Sequence, residues 1–181
     1  YQLARAQEQG GDLEQALKTL TLLVAQHPGT IHADEAHFRR GEMLFALRDY
    51  KEAEAAYATV LEGARSAQTR TPFTERALYM QGWSLYKLAR LEDGLKAFFG
   101  VLDLKLGSLN PSVRDEAKLE DLRALTRADR ELVDDTFRVM SISLATLQGA
   151  EMIPRYIDSP VRDGYQFRVY QQLGELYIKQ D

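Results

Sequence analysis

Small and large apolar residues recur at matching places in three windows of the chain, residues 11–28, 41–61 and 82–102. Each window has an apolar residue, a small residue three positions later, and large apolar residues four and seven positions after that. In chain order these are Leu13, Ala16, Leu20 and Leu23; Tyr50, Ala53, Tyr57 and Val60; and Leu91, Gly94, Phe98 and Val101. Spacings of three, four and seven place side chains on one face of a helix, so the pattern predicts three equivalent amphipathic helices.

A second helix precedes each of these. Gly41 and Gly82 lie twelve residues before the small residue of their windows, and a leucine follows each glycine by three positions. Residues 1–9 take the corresponding place in the first window. The small residues lie 37 and 41 residues apart, which fits a helix-turn-helix repeat of about 34 residues with extended loops. A glycine inside a helix costs about 1 kcal/mol relative to alanine, so its recurrence predicts close helix packing.

The C-terminal segment carries the clearest family motif. Its residues Tyr170, Leu173, Gly174 and Tyr177, within YQQLGELY, resemble the first helix of the tetratricopeptide repeat, and Pro28 matches the proline that closes that repeat. Other positions depart from the family pattern, with Arg65 and Leu106 at the proline place, Gly94 for the usual alanine, and His37 and Arg40 at common aromatic and leucine places. The looser spacing is similar to that of tetratricopeptide proteins of bacterial cell envelopes.

This resemblance implies an all-α fold of antiparallel helix pairs stacked as a right-handed α-solenoid. A single helix pair cannot bury its apolar face alone, so neighbouring repeats must stack. In the resembled family the first helix of each repeat lines the concave surface. The resemblance also favours a periplasmic or cell-envelope location over a cytoplasmic one, and the absence of cysteine is compatible with an oxidising periplasm.

The pattern divides the chain into three parts. Residues 1–105 are read as tetratricopeptide-like repeats, a partial first one and then about 34–65 and 75–105. Residues 106–127, with Gly, Asn, Pro and Ser at 107–112, are an irregular loop or insertion. Residues 128–181 are a diverged pair, with helices over 128–148 and 150–157, a turn at 159–164, and the first helix of a further repeat from Tyr165. The chain then reads as an excerpt of a longer array.

Composition and charge exclude several classes of function. The 181 residues carry a net charge of −4 with acidic and basic residues interleaved. The longest basic run is Arg39–Arg40, so no stripe predicts a nucleic-acid or anionic-membrane partner. No run approaches the roughly 18 apolar residues of a membrane helix. The family resemblance implies a protein or peptide partner, and the oligomeric state is left open.

No motif predicts catalysis or a cofactor. The three histidines, His27, His32 and His37, do not have the HExxH spacing of a zinc site, and cysteine ligands are absent. The serines lie outside any GxSxG motif, and neither a P-loop nor a GxGxxG sequence occurs. We therefore expect a protein that is not an enzyme, with no metal and no cofactor.

One helix carries an aromatic trio, Tyr79, Trp83 and Tyr86, spaced i, i+4 and i+7 on one face. A neighbouring stripe of that helix, Leu78, Gly82, Leu85 and Ala89, can meet its core requirement. The equivalent positions in the preceding repeat are Phe38, Glu42 and Phe45, and in the first they are Tyr1, Arg5 and Glu8. The family resemblance makes these the groove-lining places, with Glu42, Arg76 and Lys87 as polar contacts.

The sequence leaves two interpretations of the trio open. The rings either line a groove for an extended or helical peptide, or fill the space between successive repeats. The leading functional hypothesis is a non-catalytic protein-binding scaffold. The alternatives are a carbohydrate or peptidoglycan-binding helical module, since sugars also stack on Trp and Tyr, and a regulatory repeat domain of a larger envelope enzyme.

Overall fold

The computed structural model describes residues 1–68, 70–107 and 125–180, and every regular element within these ranges is a helix. The α-helices are α1 (Gln2–Gln9), α2 (Leu13–Gln26), α3 (Ala33–Ala46), α4 (Tyr50–Ser66), α5 (Thr74–Lys87), α6 (Leu91–Leu106), α7 (Arg127–Thr146) and α8 (Pro160–Gln180), and a 3-10 helix spans Gly149–Arg155. The fold is therefore all-α across the described ranges, as the apolar pattern predicts. The starts of α2, α4 and α6 are the three apolar residues that open the aligned windows.

The helices form two compact units, Tyr1–Arg90 and Leu91–Asp181. In the first unit each helix from α1 to α5 packs on the next, and α3 also contacts α5. The connections between α1 and α2 and between α3 and α4 are three residues long, so the paired helices are antiparallel. The first unit is thus a short stretch of α-solenoid.

A similar turn follows α1, α3 and α5. Its middle residue, at Gly11, Arg48 and Ala89, has a left-handed backbone with φ of 82°, 65° and 58°. The following N–H donates back across the turn: Asp12 to the Gln7 carbonyl, Asp49 to Leu44, and Arg90 to Leu85, each at 2.9 Å. Satisfying these helix-end carbonyls needs the left-handed residue, so the same turn recurs although its sequence differs.

The core of the first unit is built on the predicted small residues. Ala16 and Ala53 are fully buried, as are Leu20 and Tyr57 four positions later. Gly41 of α3 lies directly under the Tyr57 ring of α4, so an added Cβ would meet ring atoms at 2.5 Å. Only a residue without a side chain permits this approach, which accounts for the glycine in mid-helix.

The second unit joins α6, α7, the 3-10 helix and α8 around Phe98, Phe99, Phe137 and Met140, all buried. One polar cluster ties α8 to α6. Arg162 of α8 donates to both carboxylate oxygens of Asp103, with the two bonds to Oδ2 at 2.8 and 3.0 Å and the one to Oδ1 at 3.3 Å. The Tyr165 hydroxyl donates to Asp103 Oδ1 at 2.7 Å. Because a two-pronged ion pair fixes direction as well as distance, it sets where α8 crosses α6.

Two expectations for the C-terminal part are wrong. The predicted helix 150–157 is a seven-residue 3-10 helix that contains Pro154, because proline removes an N–H that a continuous α-helix needs. The predicted turn at 159–164 is the first turn of α8, which begins at Pro160. Ser159 accepts a hydrogen bond from the Arg162 N–H at 3.4 Å, and proline suits the first helical position. The loop expected within 107–112 and the charged stretch after it lie largely outside the described residues.

Replacing Gly41 with alanine is expected to lower the free energy of unfolding by about 1–3 kcal/mol, because the buried Tyr57 ring cannot move aside. The matched control is Gly29→Ala, where an added Cβ meets nothing within 4 Å and the expected change is under about 0.5 kcal/mol. Urea unfolding followed by circular dichroism measures both. Equal stability of the two variants would contradict the close approach of α3 and α4.

Replacing Arg48 with glycine is expected to raise the free energy of unfolding by about 0.5–1 kcal/mol, because glycine adopts a left-handed φ without steric cost. The control is Arg65→Gly in the last turn of α4, where the backbone is helical and the same change should bring no gain in stability. Thermal and urea unfolding of the pair give the comparison. A loss of stability in Arg48→Gly would show that the shared turn is not left-handed at its centre.

Candidate protein-binding surface

The first helices of successive repeats, α1, α3 and α5, are joined along one side by charged contacts. Arg39 Nη1 of α3 lies 3.2 Å from Glu8 Oε2 of α1, and Arg76 Nη2 of α5 lies 3.1 Å from Glu42 Oε1 of α3. Each contact bridges one first helix to the next. We call this side the first-helix face; it is defined by Arg5, Glu8, Glu35, Arg39, Glu42, Arg76 and, seven residues further along α5, Trp83.

A hydrogen-bonded network occupies the α1–α3 end of the face. Arg39 Nε donates to Glu35 Oε1 at 3.1 Å and to the Tyr1 hydroxyl at 3.2 Å, and Arg5 lies 3.8 Å from the same carboxylate. Burial alone would raise the pKa of Glu35, but hydrogen bonds from Tyr1 and Arg39 and the charges of Arg39 and Arg5 lower the pKa below its ordinary value. The two helices are therefore held together by an ionised Glu35.

The α3–α5 junction is partly apolar. The Arg76 guanidinium lies over the Phe38 ring, 5.7 Å from its centre, while the side chain stays 70% exposed. Burial raises the pKa of Glu42, and the charge of Arg76 opposes that rise. Arg76 thus covers a half-buried carboxylate and an aromatic ring, and still presents its outer side to solvent.

Phe38 was expected to line the groove, but the structure places it in the core. Its side chain is only 4% exposed, and its ring stacks on Phe73 at 5.4 Å and meets Tyr57 at 5.9 Å. It is therefore core between α3, α4 and α5 and offers no surface to a partner. Phe45 is half-buried and packs edge-on against Tyr50 at 5.1 Å, which places it at the end of α3 beside the turn.

The aromatic trio forms a continuous row on α5. Tyr79 and Tyr86 each pack edge-to-face with Trp83, with ring centres 6.3 and 5.5 Å apart. All three rings are half-buried, whereas Arg76 and Lys87 are exposed. The positions 76, 83 and 87 are seven and four residues apart, so the two cations lie one at each end of the row on the same side of α5.

Sequence reasoning identified the trio, Glu42 and Arg76 but missed the α1–α3 network. The sequence did contain a signal for this network, because Glu35 and Arg39 have the i, i+4 spacing of a helical ion pair. Arg5 and Glu8 were recognised only as equivalents of Trp83 and Tyr86. Glu8 faces Arg39 and Arg5 faces Glu35 because of how α1 packs beside α3, and the spacing within one helix cannot show this.

The described residues contain no group of three or more histidine, cysteine, aspartate or glutamate side chains placed to hold a metal ion. Within the same ranges, no helix combines the length and apolar character needed to cross a membrane.

A solved structure has a similar fold. It is a crystal structure of nearly identical TPR-like repeats, from a Podosopora anserina protein described as a candidate kinesin light chain, and the match covers 99% of the present chain. The TM-score is 0.52 at 16% sequence identity, and the match covers 87% of that chain. The molecule is therefore an all-helical repeat protein.

The sequence profiles of the tetratricopeptide repeat match residues 1–30 and 34–63. These ranges cover most of the α1–α2 and α3–α4 pairs, so this part of the first unit carries two tetratricopeptide repeats. No curated protein sequence matches the chain significantly. Repeats of this family generally mediate protein–protein interaction, and neither comparison indicates a catalytic family.

Replacing Glu35 with glutamine is expected to destabilise the protein by about 1 kcal/mol at pH 7. The carboxylate has a lowered pKa in the folded state, so its contribution is complete above its ordinary pKa of 4.5 and is lost as the pH falls through the lowered value. The difference between variant and wild type should therefore vanish in acid. Urea unfolding from pH 7 to pH 3 measures it, with Glu62→Gln on the exposed side of α4 as the control. A difference that persists undiminished at pH 3 would contradict the network.

Proposed function

We propose that the first-helix face binds a segment of a partner protein, and that the protein is a non-catalytic scaffold. The observation that carries the proposal is the row of three half-buried rings on α5 with an exposed cation at each end. Aromatic and arginine side chains are enriched among the residues that dominate binding energy at protein interfaces. In the tetratricopeptide family this side of the first helices lines the groove.

The contacts around the trio favour a binding surface that is already ordered before a partner binds. Arg76 is positioned by Glu42 and by the Phe38 ring beneath it, so little side-chain freedom is lost when a partner binds. A partner segment with an apolar side chain over Trp83 and a carboxylate near Arg76 or Lys87 matches both features. The α1–α3 end of the face is already occupied by its own ion pairs and would form a polar rim.

The ring geometry favours a protein segment over a sugar. In each edge-to-face contact one ring presents its face to the edge of its neighbour. Sugar stacking needs an open ring face, whereas side chains of a peptide can pack against edges and faces together. The carbohydrate alternative therefore has less support than the protein-binding proposal.

The test is affinity capture from the soluble and membrane fractions of the source cell, with wild type, Trp83→Ala, Lys87→Glu and Leu22→Ala as baits. Leu22 is an exposed apolar residue of α2 and is the matched control. The proposal expects one protein captured by wild type and Leu22→Ala, and reduced at least about tenfold by either α5 variant. Its recovery from the membrane fraction would support the envelope location that the family resemblance favours.

Lys87→Glu keeps this test decisive, because Lys87 is exposed and the change should leave the fold intact. If Trp83→Ala alone loses binding and is also strongly destabilised, the trio is core between repeats. The proposal would be overturned if Lys87→Glu and a folded Trp83→Ala both captured as much of the partner as wild type.

A further inference from the structure

The side of α5 that belongs to the first-helix face is a narrow row. Arg76 and Lys87 are eleven positions apart, which is about 16 Å along the helix axis, and the aromatic trio lies between them. At about 100° per residue, Arg76, Trp83 and Lys87 point within about 40° of one another, with Tyr79 and Tyr86 beside Trp83. The row is therefore about three turns long and one helix side wide.

The two ends of this row are positively charged. Arg5, Arg39 and Arg76 each pair with a glutamate of the first-helix face, whereas Lys87 is exposed and forms no ion pair with any residue that the structure describes. Arg76 reaches Glu42 through Nη2 and stays 70% exposed, so its other N–H groups can donate to a second carboxylate. The row is therefore complementary to a partner with two acidic groups about 16 Å apart.

The surface between the two cations favours a helical partner. α5 is one continuous helix over Thr74–Lys87, so its interior N–H and C=O groups are bonded to one another and offer nothing to a bound chain. An extended segment laid over the rings would lose water from its own backbone groups and find few new partners beyond the hydroxyls of Tyr79 and Tyr86, which is unfavourable. A helix satisfies its backbone within itself and presents only side chains.

We propose that the segment bound by the first-helix face is an amphipathic α-helix that lies along α5, covers the trio with apolar side chains and carries an acidic residue at each end of its apolar side. The inference rests on the proposed function, because it specifies the form and charge of the partner segment. Helices packed side by side cross at about 20°, so both rise about 1.5 Å per residue along nearly the same direction. The two acidic residues are therefore about eleven positions apart, whereas an extended segment would place them about five apart.

The partner helix needs its apolar residues on the side that carries the two acids. When the first acidic residue is counted as position one, the second is at position twelve, and positions four, five, eight and nine lie on the same side between them. Apolar residues at these four positions can cover the trio. The pattern is the same in both directions, so it fits a partner helix that runs either way along α5.

Titration with synthetic peptides tests the inference, because Trp83 is the single tryptophan of the chain and its fluorescence reports directly on α5. The helical probe has glutamate at positions one and twelve, leucine at four, five, eight and nine, and alanine or glutamine elsewhere. The charge control has lysine in place of both glutamates. Wild type should bind the helical probe at least about fivefold more tightly than the charge control, since two ion pairs are replaced by two repulsions.

Matched variants of the protein and of the probe separate charge from helical form. Lys87→Glu should weaken binding of the helical probe at least about fivefold and strengthen binding of the charge control, whereas Lys51→Glu on the exposed side of α4 should change neither. Proline at positions six and seven of the helical probe keeps all six contacting side chains but breaks the helix, and should abolish binding. An extended probe, with two glutamates five positions apart around leucine, should bind more weakly than the helical probe.

The possible failures distinguish this inference from the proposed function. Tighter binding of the extended probe, or binding of the helical probe that neither proline nor Lys87→Glu weakens, would overturn the inference. If no probe binds but affinity capture finds a partner that Lys87→Glu loses, the face binds a segment of another form, and the inference is wrong while the proposed function stands. If no probe binds and no such partner is captured, both are wrong.

Discussion

The packing of a tyrosine ring directly onto a glycine between antiparallel helices fixes the geometry of the first unit. Gly41 lets the Tyr57 ring come so close that no side chain fits between them. That distance sets the separation of α3 and α4, and with it the position at which α5 meets them both. Since close-packed interiors transmit such constraints, the spacing of α3 and α5 depends on this contact. The first-helix face can carry bridging ion pairs because its helices are held at that spacing.

The charged contacts on the face act between helices that packing has already placed. Arg39 joins Glu8 and Glu35, and Arg76 joins Glu42 across the next boundary. Exposed ion pairs contribute little to stability, but half-buried ones with several hydrogen bonds hold their side chains in one arrangement. The face therefore combines a polar end on α1 and α3 with an aromatic end on α5. Such a surface suits the recognition of a protein segment.

The sequence predicted the helices well where apolar spacing decides them. Leu13, Tyr50 and Leu91 begin α2, α4 and α6 as expected, because a fixed helical face must be buried in every repeat. The left-handed turn residues Arg48 and Ala89 were not predicted, because Gly11 alone of the three is a residue type that favours a left-handed backbone. The start of α8 was also missed, because Pro160 and Gly164 read as turn residues unless the capping by Ser159 is recognised. Phe38 shows the limit for the site: a position expected to line a groove is core when a ring such as Phe73 covers it. The handedness of the solenoid, the repeat boundaries and the cell-envelope location stay predictions.

Photo-cross-linking tests the central claim most directly, namely that partners bind on the side of the first helices. A photoreactive amino acid is placed at Lys87 on α5 and, as the counterpart, at Lys51 on α4; both positions are exposed. The account predicts a defined cross-linked protein from position 87 in cell extract, and little or none from position 51. Cross-links from position 51 alone, or equal patterns from both, would show that the binding surface lies on the other side of the repeat and would contradict the account.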